Sequence, residues 1–222
     1  MFKNEAQEGS LIMQRALYNL LSVVPTAGLT GSTTKAACRS LAYNAEKLLY
    51  LDQAGPPLSN CFELARREGV TQPQLEWLRK QVELEAPVTT GATMVQNSIM
   101  WMCLVTEGRV IANMSFTSRS DVDALKITIN GIFADAEETA ADEMDQMSYR
   151  GLVELHANII AFLVKSARPL PMMLQFAFYS SMPTLVMANR LYYDASRADE
   201  LRDENKVVHP AFMLPTGRAL SA

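Results

Sequence analysis

Apolar residues recur at steps of three and four along most of this chain, shifting to near alternation only after residue 170. The first pattern is that of helices packed by one face, the second that of a strand. Leu17, Leu20, Leu21 and Val24 mark a helix over 9–24, which Val24-Pro25-Thr26-Ala27-Gly28 is expected to stop. GLTGSTT (28–34) then reads as a loop capping a second helix over about 33–52, with Cys38, Leu41, Ala45 and Leu48 on its inner face. GPPLSN (55–60) reads as a break before a short segment at 60–68. TQPQLEWLRKQVELE (71–85) predicts an amphipathic helix with Leu75, Leu78 and Val82 inward and Glu76, Lys80 and Glu83 outward. APVTTGAT (86–93) has no periodicity and is the best boundary in the chain.

Beyond it, residues 94–114 are apolar nearly all round (Val95, Ile99, Met102, Cys103, Val110), which predicts a helix buried on several sides. Ser120-Asp121-Val122-Asp123 reads as a capping box, with Val122, Leu125, Ile129, Ile132 and Phe133 forming the stripe of the helix it opens. The acidic EETAADEMDQ continues or reopens a helix, and Leu152, Leu155, Ile159 and Phe162 make one stripe over 147–165. MMLQFAFYSSM (172–182) then alternates as a strand. Pro183 is expected in the first turn of a helix buried through Leu185, Ala188, Leu191 and Tyr192. Ser196, Glu200 and Leu201 start another helix ending near Asn205. His209-Pro210 turns the chain, Phe212 and Leu214 anchor it, and a last strand contains Ala219-Leu220. The fold class expected is mainly α, with a helical region over 1–90, a long-helix body over 91–168 and a small α+β module of strand–helix–helix–strand order over 169–222.

Composition narrows the function more than the fold. With 222 residues, 49% hydrophobic and 20% charged, the chain is expected to be globular. A net charge of −4 without a Lys/Arg cluster argues against a specific nucleic-acid partner. The longest apolar runs, MWMCLV and ANIIAFLV, fall short of a membrane span, and MFKNEAQEGS does not read as a secretory signal. Cys38, Cys61 and Cys103 lie far apart with no CxxC, so they read as small buried hydrophobes of a protein made in a reducing cytoplasm. The 13 methionines fit irregular core filling first and an adaptable interface second.

Chemistry is thinly signalled. Gly31 and Lys35 fail the spacing of a phosphate-binding loop, and no strand precedes them. Glu137, Glu138, Asp142, Glu143 and Asp145 lack a histidine at metal-ligand spacing and read as a solvated face. His156 reads as a packing histidine, and His209 as the cap of its turn. No catalytic, cofactor-binding or metal-ligating residue is expected.

The tail carries two resemblances. Strand, helix, helix ending in Asn205, His209-Pro210 turn and Gly217-Arg218-Ala219-Leu220 entering a final strand resemble a LysM module, with Ser181-Met182-Pro183-Thr184 where that module has Gly-Asp-Thr. A broader likeness covers about residues 93–222. Phe116, Ser118, Asp123, Ala124, Tyr149 and Leu152, then Arg190, Leu191, Tyr192, Asp194, Ala195, Arg197, Ala198, Asp199 and Glu200, and finally Asn205, His209, Pro210 and Phe212 resemble the C-terminal half of the Mu-type phage tail protein called the DNA-circularisation protein. Tyr193 stands where that family usually has Gly. The resemblance implies a virion protein: a non-enzymatic structural part of a contractile-tail baseplate, near the junction of tube and hub. Its implied partners are copies of itself in a ring and other tail tube, hub or baseplate wedge proteins.

Tyr192, Asp194, Arg197, Asn205, His209, Pro210, Phe212 and Gly217 are then packing or interface residues, with Tyr192 and Phe212 as anchors between helices and strands. The apolar faces of 94–114 and 172–187 are the expected contact surfaces. The alternative is a peptidoglycan-binding protein using a LysM-type groove around Ser181–Thr184.

Overall fold

The computed structural model describes residues 1–25, 29–143 and 145–221, with backbone alone at Leu29 and Thr30. The first helix ends at Val23 with Val24 extended, where the Val24–Gly28 stop is expected, and Thr26–Gly28 of that stop lie outside the described residues. The chain divides into two compact units. One comprises Met1–Met114 with Phe133–Ile159, the other Ser115–Ile132 with Ile160–Ala222.

In the first unit, α1 (Lys3–Val23), α2 (Leu29–Tyr50), α3 (Gly55–Arg67), α4 (Gln72–Glu83) and α5 (Thr90–Ile111) form a bundle. It also includes the C-terminal part of α6 (Arg119–Asp142) and most of α7 (Gln146–Ala167). The expected stripes are its core: Leu17, Leu20, Cys38, Leu41, Ala45, Leu75, Leu78 and Val82 are all buried. Two expected breaks are helix starts instead. Residues 29–34 form the first turns of α2, where Gly31 and Thr34 are buried, so tertiary packing overrides their weak helix propensity. Gly-Pro-Pro at 55–57 is the first turn of α3, where a missing amide costs nothing. Thr71 and Gln74 close a capping box on α4, the Thr71 amide donating to Gln74 Oε1 at 2.9 Å.

α5 is buried on several sides, as its all-round apolar sequence predicts. It packs against both α1 and α4, so residues 86–93 turn the chain within this unit. Close approach is built from small residues. A Cβ on Gly9 would lie 3.0 Å from Val95 Cγ2, one on Gly91 2.7 Å from Glu5 Cβ, and one on Gly108 2.8 Å from Ile159 Cδ1. Glu8 of α1 caps the start of α5, accepting from the Val88 amide at 2.6 Å, the Thr89 amide at 3.0 Å and the Thr89 hydroxyl at 2.6 Å. The Thr89 hydroxyl bond, reinforced by the amide of Val88, holds the Glu8 carboxyl below the usual range.

In the second unit, α6 (from Arg119) opens two residues earlier than the Ser120 capping box implies. The buried Ser118 hydroxyl, just before the helix, accepts from the Ser120 amide at 3.1 Å. The rest is β1 (Met173–Ala177), α8 (Thr184–Tyr192), a 3₁₀ turn (Ala195–Arg197), α9 (Ala198–Glu204) and β2 (Thr216–Leu220). β1 and β2 pair antiparallel, Met173 opposite Leu220 and Phe176 opposite Gly217. Phe176, Met187, Ala188, Ala198, Leu201, Met213 and Ala219 form the core beneath them. Leu185, expected inside, is exposed. Thr184, Met187 and Ala188 take the inward positions, with Leu191 one turn on, and Leu185 falls off that stripe. Pro183 sits just before α8 as its cap position, one residue ahead of the expected first turn.

Candidate functional site

The polar side chains of the tail hold the tail together. Asn205, at the end of α9, donates from Nδ2 to the carbonyls of Leu201 at 2.8 Å and Arg218 at 2.7 Å, and its Oδ1 accepts from the Arg218 amide at 2.8 Å. One side chain thus supplies β2 with a strand-like partner and adds a second donor to a terminal helix carbonyl that also accepts from the Asn205 amide at 3.3 Å. Gly217 is the room this clasp needs: an added Cβ would lie 2.3 Å from Asn205 Oδ1 and 2.7 Å from Phe176 Cζ. Asp194 caps the 3₁₀ turn, accepting from the Ser196 amide at 2.9 Å and hydroxyl at 2.7 Å, and the hydroxyl bond chiefly holds its carboxyl low. Arg197 lies 3.8 Å from the centre of the Tyr192 ring and forks onto Glu200 at 2.6 and 3.1 Å. Burial, then the Glu200 charge, push the Tyr192 phenol up, with Arg197 opposing.

His209 caps its turn, Nδ1 accepting from the Ala211 amide at 3.3 Å. Pro210 offers its carbonyl to the Thr184 amide at 2.8 Å, tying the turn to the start of α8. The loop between β1 and α8 is zipped to the one between α9 and β2 by further bonds. The Phe178 amide donates to Pro215 at 2.7 Å, the Met213 amide to Met182 at 3.2 Å, and the Ser181 hydroxyl to Met213 at 2.7 Å.

Phe212 and Leu214 do not anchor this zipper. Met213 does, at 1% exposure, while Phe212 is 74% and Leu214 71% exposed. The alternation that turns Met213 onto the Met182 bridge turns its two neighbours outward. The Phe212 ring rests against His209, centroids 5.4 Å apart. On the partner loop Tyr179 is fully exposed, and Leu185, Tyr193 and Val208 are exposed nearby in sequence. The sequence reading indicated the 172–187 part of this apolar surface; Val208 and the outward setting of Phe212 escaped it, the only available signal being the alternation around Met213. The other expected contact face, 94–114, is mostly core: Ile99, Cys103, Leu104 and Ile111 are at most 1% exposed.

The acidic residues of the first unit do not converge. Glu138, Asp142 and Glu143 are exposed, while Asp145 caps α7 through the Ser148 amide at 3.1 Å. Glu137 holds His156 Nδ1 at 2.9 Å, and the imidazole stacks on Phe133 with centroids 5.0 Å apart. His156 is therefore a satisfied packing residue. Among the described residues no group of three or more His, Cys, Asp and Glu is placed to hold a metal ion, and no helix is long and apolar enough to cross a membrane.

One buried acid had no sequence signal. Glu107 of α5 is fully buried and neither of its carboxylate oxygens has a hydrogen-bond partner. Burial pushes its carboxyl up to about 8; Arg79 opposes this, Glu76 adds to it and Lys80 opposes it. At neutral pH it is largely uncharged.

No protein-family model matches the chain, and no curated protein matches it.

Proposed function

We propose that the protein is a structural component of a phage contractile-tail baseplate, near the junction of tube and hub, acting without catalysis through contacts in a ring. The observation that carries this reading is the apolar rim of Tyr179, Phe212 and Leu214 on a tail whose polar motif residues already bond to one another. Three large apolar side chains held outward on hydrogen-bonded loops suit burial against a neighbour. The motif running from Arg190 to Phe212, with its likeness to the Mu-type tail family, supplies the setting. Copies would meet through unlike faces related by a rotation that closes, and the LysM-like module would be the part that docks.

The peptidoglycan reading draws on the same strand–helix–helix–strand order. Against it, the Ser181 hydroxyl and Thr184 amide are already engaged by Met213 and Pro210. Mass spectrometry of purified tails from the source separates the two. The chain is expected in mature particles, and a Tyr179→Ser, Phe212→Ser double variant is expected to be lost from them while remaining folded. Absence of the unaltered chain from particles, together with retention on purified peptidoglycan that Ser181→Ala abolishes, would replace the assembly reading with the glycan one.

A further inference from the structure

α2 packs on α1 and α3, and the side it leaves uncovered carries Tyr43 at 89% and Tyr50 at 58% exposure, with Lys47 exposed between them. Lys3, Ala6, Tyr43, Glu46, Lys47 and Tyr50 line an open groove of about 490 Å³ there. On α6, Asp135, Glu138 and Asp142 are exposed along one face at steps of three and four. Both stretches belong to the first unit. None of Lys3, Lys47, Asp135, Glu138 and Asp142 has an ion-pair partner among the described residues. The acids also stand at the C-terminal end of α6 with no basic residue in its last turn, where the helix dipole disfavours negative charge. A cation brought from outside the chain relieves that repulsion.

We propose that the α2 groove is an interaction surface whose occupant is α6 of a second copy of this chain, laid antiparallel. The two spacings mirror each other. Counting forward from Tyr43, Lys47 is four residues on and Tyr50 seven; counting back from Asp142, Glu138 is four residues away and Asp135 seven. Both stripes are therefore about 10.5 Å long. In the antiparallel register Tyr43 meets Asp142, Lys47 meets Glu138 and Tyr50 meets Asp135. Each phenol donates to a carboxylate and the ammonium pairs with the third. The small exposed side chains of Ala134 and Ala141 leave room for the two rings, which bury apolar area against the neighbouring helix. Glu46, the acid in the groove, falls opposite Thr139 and not opposite a carboxylate. The contact joins unlike faces, so each copy keeps an α2 groove or an α6 stripe for the next; it deepens the ring reading and rests on that reading for its closure.

The test is sedimentation velocity of the purified full chain over a concentration series, with Lys47→Glu and Glu138→Lys made separately and then mixed. The unaltered chain is expected to self-associate, and each variant alone to need about tenfold higher concentration, because the central pair becomes like-charged. Mixed in equal amounts, the two variants are expected to associate as the unaltered chain does, since every α2–α6 contact between unlike variants again pairs opposite charges. Damage to either fold is not repaired by mixing. A chain that stays monomeric at every concentration, variants that associate as readily as the unaltered chain, or variants not restored by mixing would each overturn the proposal. Association that ignores both reversals, in a chain found in mature tails, removes this contact and leaves the tail reading. Association restored by mixing, in a chain absent from tails, leaves the contact and removes the tail reading.

Discussion

In the bundle around α5, order comes from many interchangeable contacts: Leu17, Leu20, Leu75, Leu78 and Ile99 are each buried to 1% exposure or less. In the β1–β2 tail a smaller core is supplemented by side chains with one task each, such as Asn205 bridging α9 to β2 and Gly217 making room for it. Burial is roughly additive and tolerant of conservative exchange, whereas a side chain that bonds the backbone at both ends has no substitute. The bundle should therefore respond to its surroundings as a whole and the tail to single atoms.

The largest expected effect tests the bundle. Glu107, about 8 when folded and near 4.5 when unfolded, holds its proton more tightly in the native state. Its contribution is thus fully present below about pH 4.5 and is lost as pH rises through about 8. That separation corresponds to on the order of 5 kcal/mol. Glu107→Gln should flatten that part of the stability–pH curve in denaturant titrations, and an unchanged slope would show that the carboxyl is hydrated in solution.

Next in size is Gly217→Ala, whose new methyl would displace Asn205 or Phe176. A loss of about 2 kcal/mol is expected, read as faster amide exchange at Arg218 and Phe178 with the bundle amides unaffected. Gly131→Ala is its counterpart: nothing lies within 4 Å of the added carbon, and it should stabilise by up to about 1 kcal/mol. Smallest is Tyr193→Gly. Tyr193 ends α8 with φ 56°, a left-handed conformation that only glycine adopts without strain, so relief of roughly 1 kcal/mol is expected as a higher melting temperature.

The helices were legible because their stripes repeat over many residues. α4 matches its expected inward Leu75, Leu78 and Val82 at every position, and α5 its all-round burial. Errors fell where a residue's role depends on a distant neighbour. Gly31, Thr34 and the Pro56-Pro57 pair look like loop until packing or a helix start accounts for them. Phe212 looks like an anchor until Met213 is seen to occupy the inward position. Along the tail the cap at Asp194 and the turn at His209 are local and could be read directly. The collision that forbids a side chain at 217 could not, because Asn205 and Phe176 reach that point from elsewhere in the chain.

The division of the chain also limits how it can be dissected. The polypeptide crosses from one compact unit to the other at 114/115, returns at 132/133 and crosses again at 159/160. A single stop codon or protease cut therefore cannot liberate either unit intact. A fragment ending at 114 lacks the Leu155 and Ile159 side chains that sit over Gly108, and a fragment starting at 160 lacks Ser120, whose hydroxyl accepts from the Met173 amide at 3.4 Å. Isolating the tail as a soluble piece would call for a splice that joins residue 132 to residue 160.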